Sequence, residues 1–323
     1  MHDPPDEFDW IEALRPLTRG DPRALALADD AAVMSGRTGF DLVVSKDAMV
    51  ESVHFSRSED AGTVARRLLR TSLSDLAAKA AEPFGYLLMT AWPNDRAWPW
   101  RQSFIEGLRL DGEAFNLSLL GGDTVATPGP LTLCATVLGW TPEGATVLRS
   151  GAKPGDLLLV CGTIGDGGLG LAASRGEIDD PDGRLAERYR LPRPLLTLRA
   201  ALRDHAHAAA DVSDGLLADA AHIAQASGLA LTVDVELLPH SPEVRAWLGR
   251  QPDPQAARVA LATGGDDYAI VCAVEPSTQP AFMRAVMAQG LPVASVGYFE
   301  AGDGLAVNAG GAPIGVGRLG WRH

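Results

Sequence analysis

Aspartate clusters recur where apolar runs stop, and that recurrence constrains this chain of 323 residues more than any other feature. LADDAAV (27–33), SKD (45–47), SLSD (72–75) and GGDT (121–124) lie in the first half, and DVSDG (211–215) and GGDDY (264–268) in the second. Any one of them reads as an ordinary turn or helix cap, because Asp bonds nearby backbone amides. The set reads differently. Asp30, Asp47, Asp75 and Asp123 each adjoin a strongly apolar segment that carries them toward a sheet edge. Two carboxylates about 4 Å apart repel by roughly 4 kcal/mol at an effective dielectric of 20. Convergence therefore calls for compensation by hard divalent cations, which take oxygen ligands. Asp, Ser and Thr without a His or Cys cluster suit Mg²⁺ rather than Zn²⁺.

The apolar runs alternate strand and helix periods. FDLVVS (40–45) and FGYLLMTAW (84–92) are strand-like, and between them TVARRLLRTSLSDLAAKAAE (63–82) has helical spacing, stopped by Pro83. WRQSFIEGLRLDGEAF predicts a second helix, followed by strand-like NLSLLGGDT and LTLCATVLGW. The turn-rich TPEGATVLRSGAKPGD (141–156) breaks the periodicity and marks a boundary between domains at 1–145 and 146–323. Beyond it, DLLLVCG, LALTVDVELL, YAIVCAV and PVASVGYF predict strands, and LGLAASRG, RPLLTLRAALRDHAHAAA and LLADAAHIAQASG predict helices. The fold class is α/β (α+β), with two mixed domains.

Charge narrows the partners. With 28 basic against 41 acidic residues, the formal charge of −13 opposes a nucleic-acid backbone or an anionic membrane. Phosphates remain accessible if cations intervene. Cys134, Cys161 and Cys272 stand far apart in apolar runs, which predicts small buried residues in a reducing compartment. The acidic N-terminus resembles no secretory signal and no apolar run reaches the length of a membrane span, so the expected location is cytoplasmic.

Two further features have competing readings. GTIGDGGLG (162–170) contains G-x-G-x-x-G between a strand and a helix, the pattern of a dinucleotide site. The segment that follows, IDDPDGRLAERYRLPRP, is not the expected strand with a terminal acid, so a tight packing turn is favoured. His54 in VESVHF is either a satisfied structural residue or, beside a carboxylate and metal site, a donor to a phosphate or substrate oxygen.

In order along the chain, LADDAAV, VVSKDAMVESVHF, LSDLAAKAAEP, LLGGDT, LRSGAKPGD, DVSDGL and GGDDY resemble the thiamine-monophosphate kinase family of the aminoimidazole-ribonucleotide-synthetase-like superfamily. The resemblance covers nearly the whole chain. It implies ATP-dependent phosphorylation of thiamine monophosphate to thiamine diphosphate, in a homodimer paired through the N-terminal domains, with ATP and several Mg²⁺ ions in a cleft. Carried over, Asp30, Ser45, Asp47, Asp75, Asp123 and Asp211 become metal ligands, with the backbone of Lys46, and Asp214 holds a further ion. Asp47, Asp75 and Asp123 are the catalytic set; Gly122, Asp123, Arg149 and Ser213 contact ATP; His54, Asp266 and Trp321 contact the substrate. The chain departs from the family pattern at Ala28, at Lys46 where a small hydroxyl residue is usual, and at Asp266 where Glu is usual. Related ATP-consuming activities of the superfamily, such as aminoimidazole ribonucleotide synthesis or hydrogenase maturation, are the alternative, and a dinucleotide-dependent oxidoreductase is a more distant one.

Overall fold

The computed structural model describes residues 7–321, which form two compact units. The first comprises the described residues up to Leu76 together with Ala81–Gly144, and the second Ala77–Ala80 with the chain from Ala145 onward.

In the first unit the order is α1 (Glu7–Leu14), β1 (Phe40–Val50), α2 (Ala61–Ala78), β2 (Glu82–Pro93), α3 (Trp98–Ala114), β3 (Ser118–Thr127) and β4 (Thr132–Pro142). The last residues of α2 belong to the second unit. The strands form a sheet in the order β1-β4-β2-β3. Its pairs are antiparallel except β2 with β3, the two strands that α3 joins. Alternation along β1 turns Val43, Ser45, Asp47 and Met49 to the sheltered face, and Leu42, Val44, Lys46 and Ala48 to the open one.

Helices cover the sheltered face. Trp92 of β2 packs edge to face with Phe104 of α3 at 5.8 Å between ring centres and with Trp10 of α1 at 5.1 Å. The fully buried Asp111 of α3 accepts from Arg66 at 3.0 Å and from Arg70 at 2.6 Å, both on α2. A buried carboxylate is tolerated only with such partners, and two arginines four residues apart on one helix face supply them.

Two boundaries differ from expectation. The strand expected over 40–45 continues to Val50, with Lys46 opposite Thr136 and Asp47 opposite Ala135, because pairing with β4 depends on backbone groups that charge does not remove. The helix expected to run to Pro83 ends at Ala78. Ala80 turns the chain with φ 56°, and Pro83 already lies in β2.

The second unit contains β5 (Leu157–Cys161), α4 (Asp166–Ser174), α5 (Arg184–Arg190), α6 (Arg199–His205), β6 (Ala206–Asp211), α7 (Leu216–Ser227), β7 (Leu229–Asp234), α8 (Pro242–Leu248), α9 (Pro254–Ala262), β8 (Ile270–Val274), α10 (Gln279–Met287), β9 (Val293–Ala301), β10 (Leu305–Ala309) and β11 (Ala312–Pro313). Its sheet has the order β11-β10-β7-β9-β5-β8-β6 and is antiparallel except for β7 with β10. Leu158, Val160, Ala208, Ala210 and Val271 from the sheet and Leu217, Ala220 and Ile223 from α7 share one core.

RPLLTLRAALRDHAHAAA is not one helix. α6 spans only Arg199–His205, and Ala206–Asp211 become β6, paired with β8. Alanine favours helix by propensity, but the ladder to β8 and the burial of Ala208, Ala209 and Ala210 override it. Cys134, Cys161 and Cys272 are buried free thiols. Among the described residues no helix is long and apolar enough to cross a membrane.

Candidate active site

β1 and α2 bring three of the expected ligands together. Ser45 and Asp47 share the sheltered face of β1, and the Ser45 hydroxyl donates to Asp75 Oδ2 on α2 at 2.5 Å. Burial, and then the like charge of Asp75, push the Asp47 carboxyl up to about 6, while a hydrogen bond from Ser72 opposes them. Among the described residues no three His, Cys, Asp or Glu side chains group as a metal site. The donors that do meet are hard oxygens, and two of them repel each other. Such a set fits Mg²⁺ in both ligand chemistry and charge.

Asp123 is not part of this group. Register runs from Asp123 through Met89 and Cys134 to Ala48, which puts Asp123 on the open face, opposite Asp47. Its Oδ1 accepts from the Thr124 amide at 2.9 Å. Lys46 shares the open face, where its charge counters the effect of burial on the Cys134 thiol. Asp30 lies exposed in the loop before β1, its amide donating to Asp29 Oδ1 at 2.8 Å. Gly122 has a structural reason of its own, since a Cβ there would fall 1.8 Å from the Leu88 carbonyl oxygen.

His54 occupies the turn after β1, bridged at Glu51 and Phe55. Its Nδ1 accepts from the Val50 amide at 3.0 Å, so a ring proton sits on Nε2. Glu51 anchors the turn. It is buried and accepts from Arg96 at 2.5 Å and Arg57 at 3.2 Å.

In the second unit the loops DVSDG and GGDDY lie side by side. The Asp266 amide donates to the Ser213 carbonyl at 2.9 Å, and the Tyr268 amide to that of Val212 at 2.8 Å. Asp266 has φ 68°, and its Oδ1 accepts from the Tyr268 hydroxyl at 3.0 Å. The Trp321 amide donates to the Asp214 carbonyl at 2.8 Å, which brings the exposed indole to the same loops, with the Arg318 guanidinium 5.2 Å from its ring centre. Asp211, buried, ends β6 just before Ser213. The exposed Arg149 lies close enough that its charge acts on Asp219.

Sequence reasoning passed over two carboxylates that shape these loops. Asp219, in the first turn of α7, accepts from the amides of Ser213 and Asp214, both at 3.1 Å; burial raises it to about 6. Its spacing after DVSDG, where an acid can reach back to the amides preceding a helix, was the available signal. Asp267 accepts from the Gly165 amide at 2.9 Å and the Gly167 amide at 2.8 Å at the start of α4, and burial holds it well above the ordinary carboxylate range. The glycine-rich turn therefore receives an internal carboxylate where a dinucleotide fold would receive a pyrophosphate. A Cβ at Gly167 would sit 2.4 Å from the Asp266 carbonyl carbon, and β5 is antiparallel to both its neighbours, so the packing reading holds.

Residues 28–141 match the N-terminal domain, and 153–310 the C-terminal domain, of the family described as AIR synthase related protein. A thiamine-monophosphate kinase of Caulobacter vibrioides is 57% identical over 321 residues, covering 99% of this chain and 91% of the relative. The crystal structure of a thiamine-monophosphate kinase from Stenotrophomonas maltophilia superposes with a TM-score of 0.84 at 33% identity, covering 95% of this chain and 98% of that one. A structure of AaThiL complexed with AMPPCP and TMP superposes with a TM-score of 0.75 at 25% identity, covering 95% and 96%. With matching sequence along almost its entire length and the same arrangement of strands and helices, this chain belongs to the thiamine-monophosphate kinase family.

Proposed function

We propose that this chain transfers the γ-phosphoryl group of ATP to the phosphate of thiamine monophosphate, releasing ADP and thiamine diphosphate. The carrying observation is the Ser45, Asp47 and Asp75 group, in which two partly buried carboxylates repel each other and a bound cation would relieve the repulsion. The AaThiL complex with AMPPCP and TMP supports the two substrates, AMPPCP having a methylene in place of the β,γ-bridging oxygen of ATP. In the reaction a phosphate oxygen of the acceptor bonds to Pγ while the bond from Pγ to the bridging oxygen breaks, leaving ADP. The acceptor is already ionised at neutral pH, so no strong general base is required. Positioning and charge are what remain for the protein to supply.

Mg²⁺ held by these residues would supply positive charge against the two polyanions. In the first unit Ser45, Asp47 and Asp75 are the core of the proposed ligands, and Asp30, the Lys46 backbone and Asp123 are proposed ligands of further ions; in the second unit Asp211 and Asp214 are proposed ligands as well. Gly122, Asp123, Arg149 and Ser213 are the proposed ATP contacts. The His54 Nε2 proton, Asp266 and the Trp321 indole are the proposed substrate contacts. Three buried free thiols support a cytoplasmic setting.

The proposed homodimer is supported by the open face of the first sheet, where Leu42 is 45% exposed, Val44 53% and Val125 45%. On that reading Asp123 and Lys46 lie on the pairing face. Val44→Glu should yield a monomer by sedimentation, and an unchanged mass would refute pairing through this face. The activity itself is tested by ADP release with thiamine monophosphate as acceptor, against aminoimidazole-type acceptors in parallel. Release with only the latter would overturn the assignment.

A further inference from the structure

The second unit contains a cavity of about 580 Å³ that none of the residues proposed above lines. Its walls include Leu238, Leu248 and Pro254, and its polar groups are Glu236, His240, Arg245 and Arg258. Two guanidinium groups face one space in a chain whose formal charge is −13. Neither Arg245 nor Arg258 has an acidic partner among the described residues. Arg245 donates instead to the His240 carbonyl. The Arg258 Nε is buried without a hydrogen-bond partner. Glu236 also lines the cavity, but among the described residues it forms no ion pair with either arginine, and its carboxylate lies beside the Gly310 turn.

His240 adds a second unsatisfied atom. Its Nδ1 lies 2.8 Å from the Ile164 carbonyl oxygen and must donate to it. The opposite nitrogen, Nε2, is buried with no partner. Burial, and then the charge of Arg258, hold the ring below its ordinary range, so Nε2 is an acceptor in the neutral ring. Buried polar groups of native proteins are nearly always paired, and both orphan atoms belong to side chains that line this cavity.

We propose that this cavity is a second ligand site for a small organic anion. The anion's phosphate or carboxylate meets the guanidinium groups of Arg258 and Arg245 beside the His240 ring, and an apolar body packs on Leu238, Leu248 and Pro254. Guanidinium groups select planar or tetrahedral oxyanions, and the aliphatic wall selects a ring or short chain over an inorganic ion.

The experiment uses the full chain with Mg²⁺ and AMPPCP bound, and follows histidine ring resonances by NMR, with His240 assigned through His240→Gln. Phenyl phosphate and mandelate are the probes, at constant ionic strength, and phenol and inorganic phosphate the controls. We expect saturable movement of the His240 signal with a Kd of roughly 0.1–10 mM for at least one probe, and a weaker response to both controls. The stronger probe identifies the headgroup as phosphate or carboxylate. Arg258→Gln should weaken binding about tenfold or more at unchanged melting temperature, and Arg245→Gln, an exposed substitution, provides the same test if the first variant folds poorly. No movement of His240 at ~10 mM of either probe, or full affinity in the folded variants, would overturn the assignment.

Discussion

Replacing Asp47 by Asn separates what this carboxylate does for folding from what it does for metal. Its carboxyl is raised from 3.8 to about 6, first by burial and then by Asp75. Two units correspond to about 3 kcal/mol of preference for the protonated form, at 1.36 kcal/mol per unit. Because the folded value lies above the unfolded one, stability from this group is complete below about pH 3.8 and is lost as pH rises through about 6. At pH 8 the metal-free protein therefore carries an ionised Asp47 at a penalty that Asn, with nearly the same shape, does not incur. We expect metal-free Asp47→Asn to be more stable than the parent at pH 8 by about 1–3 kcal/mol, or roughly 2–10 °C in melting temperature. The gap should close by pH 4, where both side chains are neutral. Saturating Mg²⁺ should invert the order, since it stabilises only the protein that binds it well. Thermal melting in EDTA and in MgCl₂ across pH 4–8 measures both effects. A metal-free variant that melts at or below the parent at pH 8 would refute the burial argument, and equal stabilisation of both proteins by Mg²⁺ would refute Asp47 as a ligand.

The remaining predictions are independent of that one. Gly122→Ala places a methyl 1.8 Å from the Leu88 oxygen, so β3 must move; we expect a loss of several kcal/mol, and a melting temperature within 2 °C of the parent would contradict it. Lys46 points to the open face, away from Asp47 and Asp75, so Lys46→Thr should leave the Mg²⁺ concentration for half-maximal activity within about twofold; a tenfold shift, 1.4 kcal/mol, would show that the ammonium acts in the site. Trp321→Ala should raise KM for thiamine monophosphate well above any change in KM for ATP if the exposed indole is the stacking surface proposed above; equal changes would reduce it to packing.

The facing of the candidate donors on β1 was legible in the sequence because it depends on residue type and on period-two alternation, both local properties. Ser45 and Asp47 share a face because alternate residues of any strand do, and the same rule sends Lys46 to the other side. Oxygen donors without a His or Cys cluster are what make Mg²⁺ the proposed cation. Local pattern also located β2, α3, β4 and α7 within a few residues. It failed at β6, where an alanine-rich segment is helix by propensity and strand by contact with β8, and it gave no notice of α8, α9 and α10 or of β10 and β11.

Which acids meet is a non-local question, and only the tertiary structure decided it. Asp75 reaches Ser45 across 30 positions because α2 lies on the sheltered face of β1. Asp123 looks equivalent to Asp75 in sequence, yet the order β1-β4-β2-β3 and the pairing of Asp123 with Met89 turn it to the opposite face. Asp267, one residue from a proposed substrate contact, spends its carboxylate on the amides at the start of α4, 100 and 102 positions away. Alternation follows from backbone geometry within a few residues, whereas strand order, register and helix placement follow from burying one shared core. The sequence by itself therefore supplied the candidate donors, and the packing of distant segments decided which of them lie together.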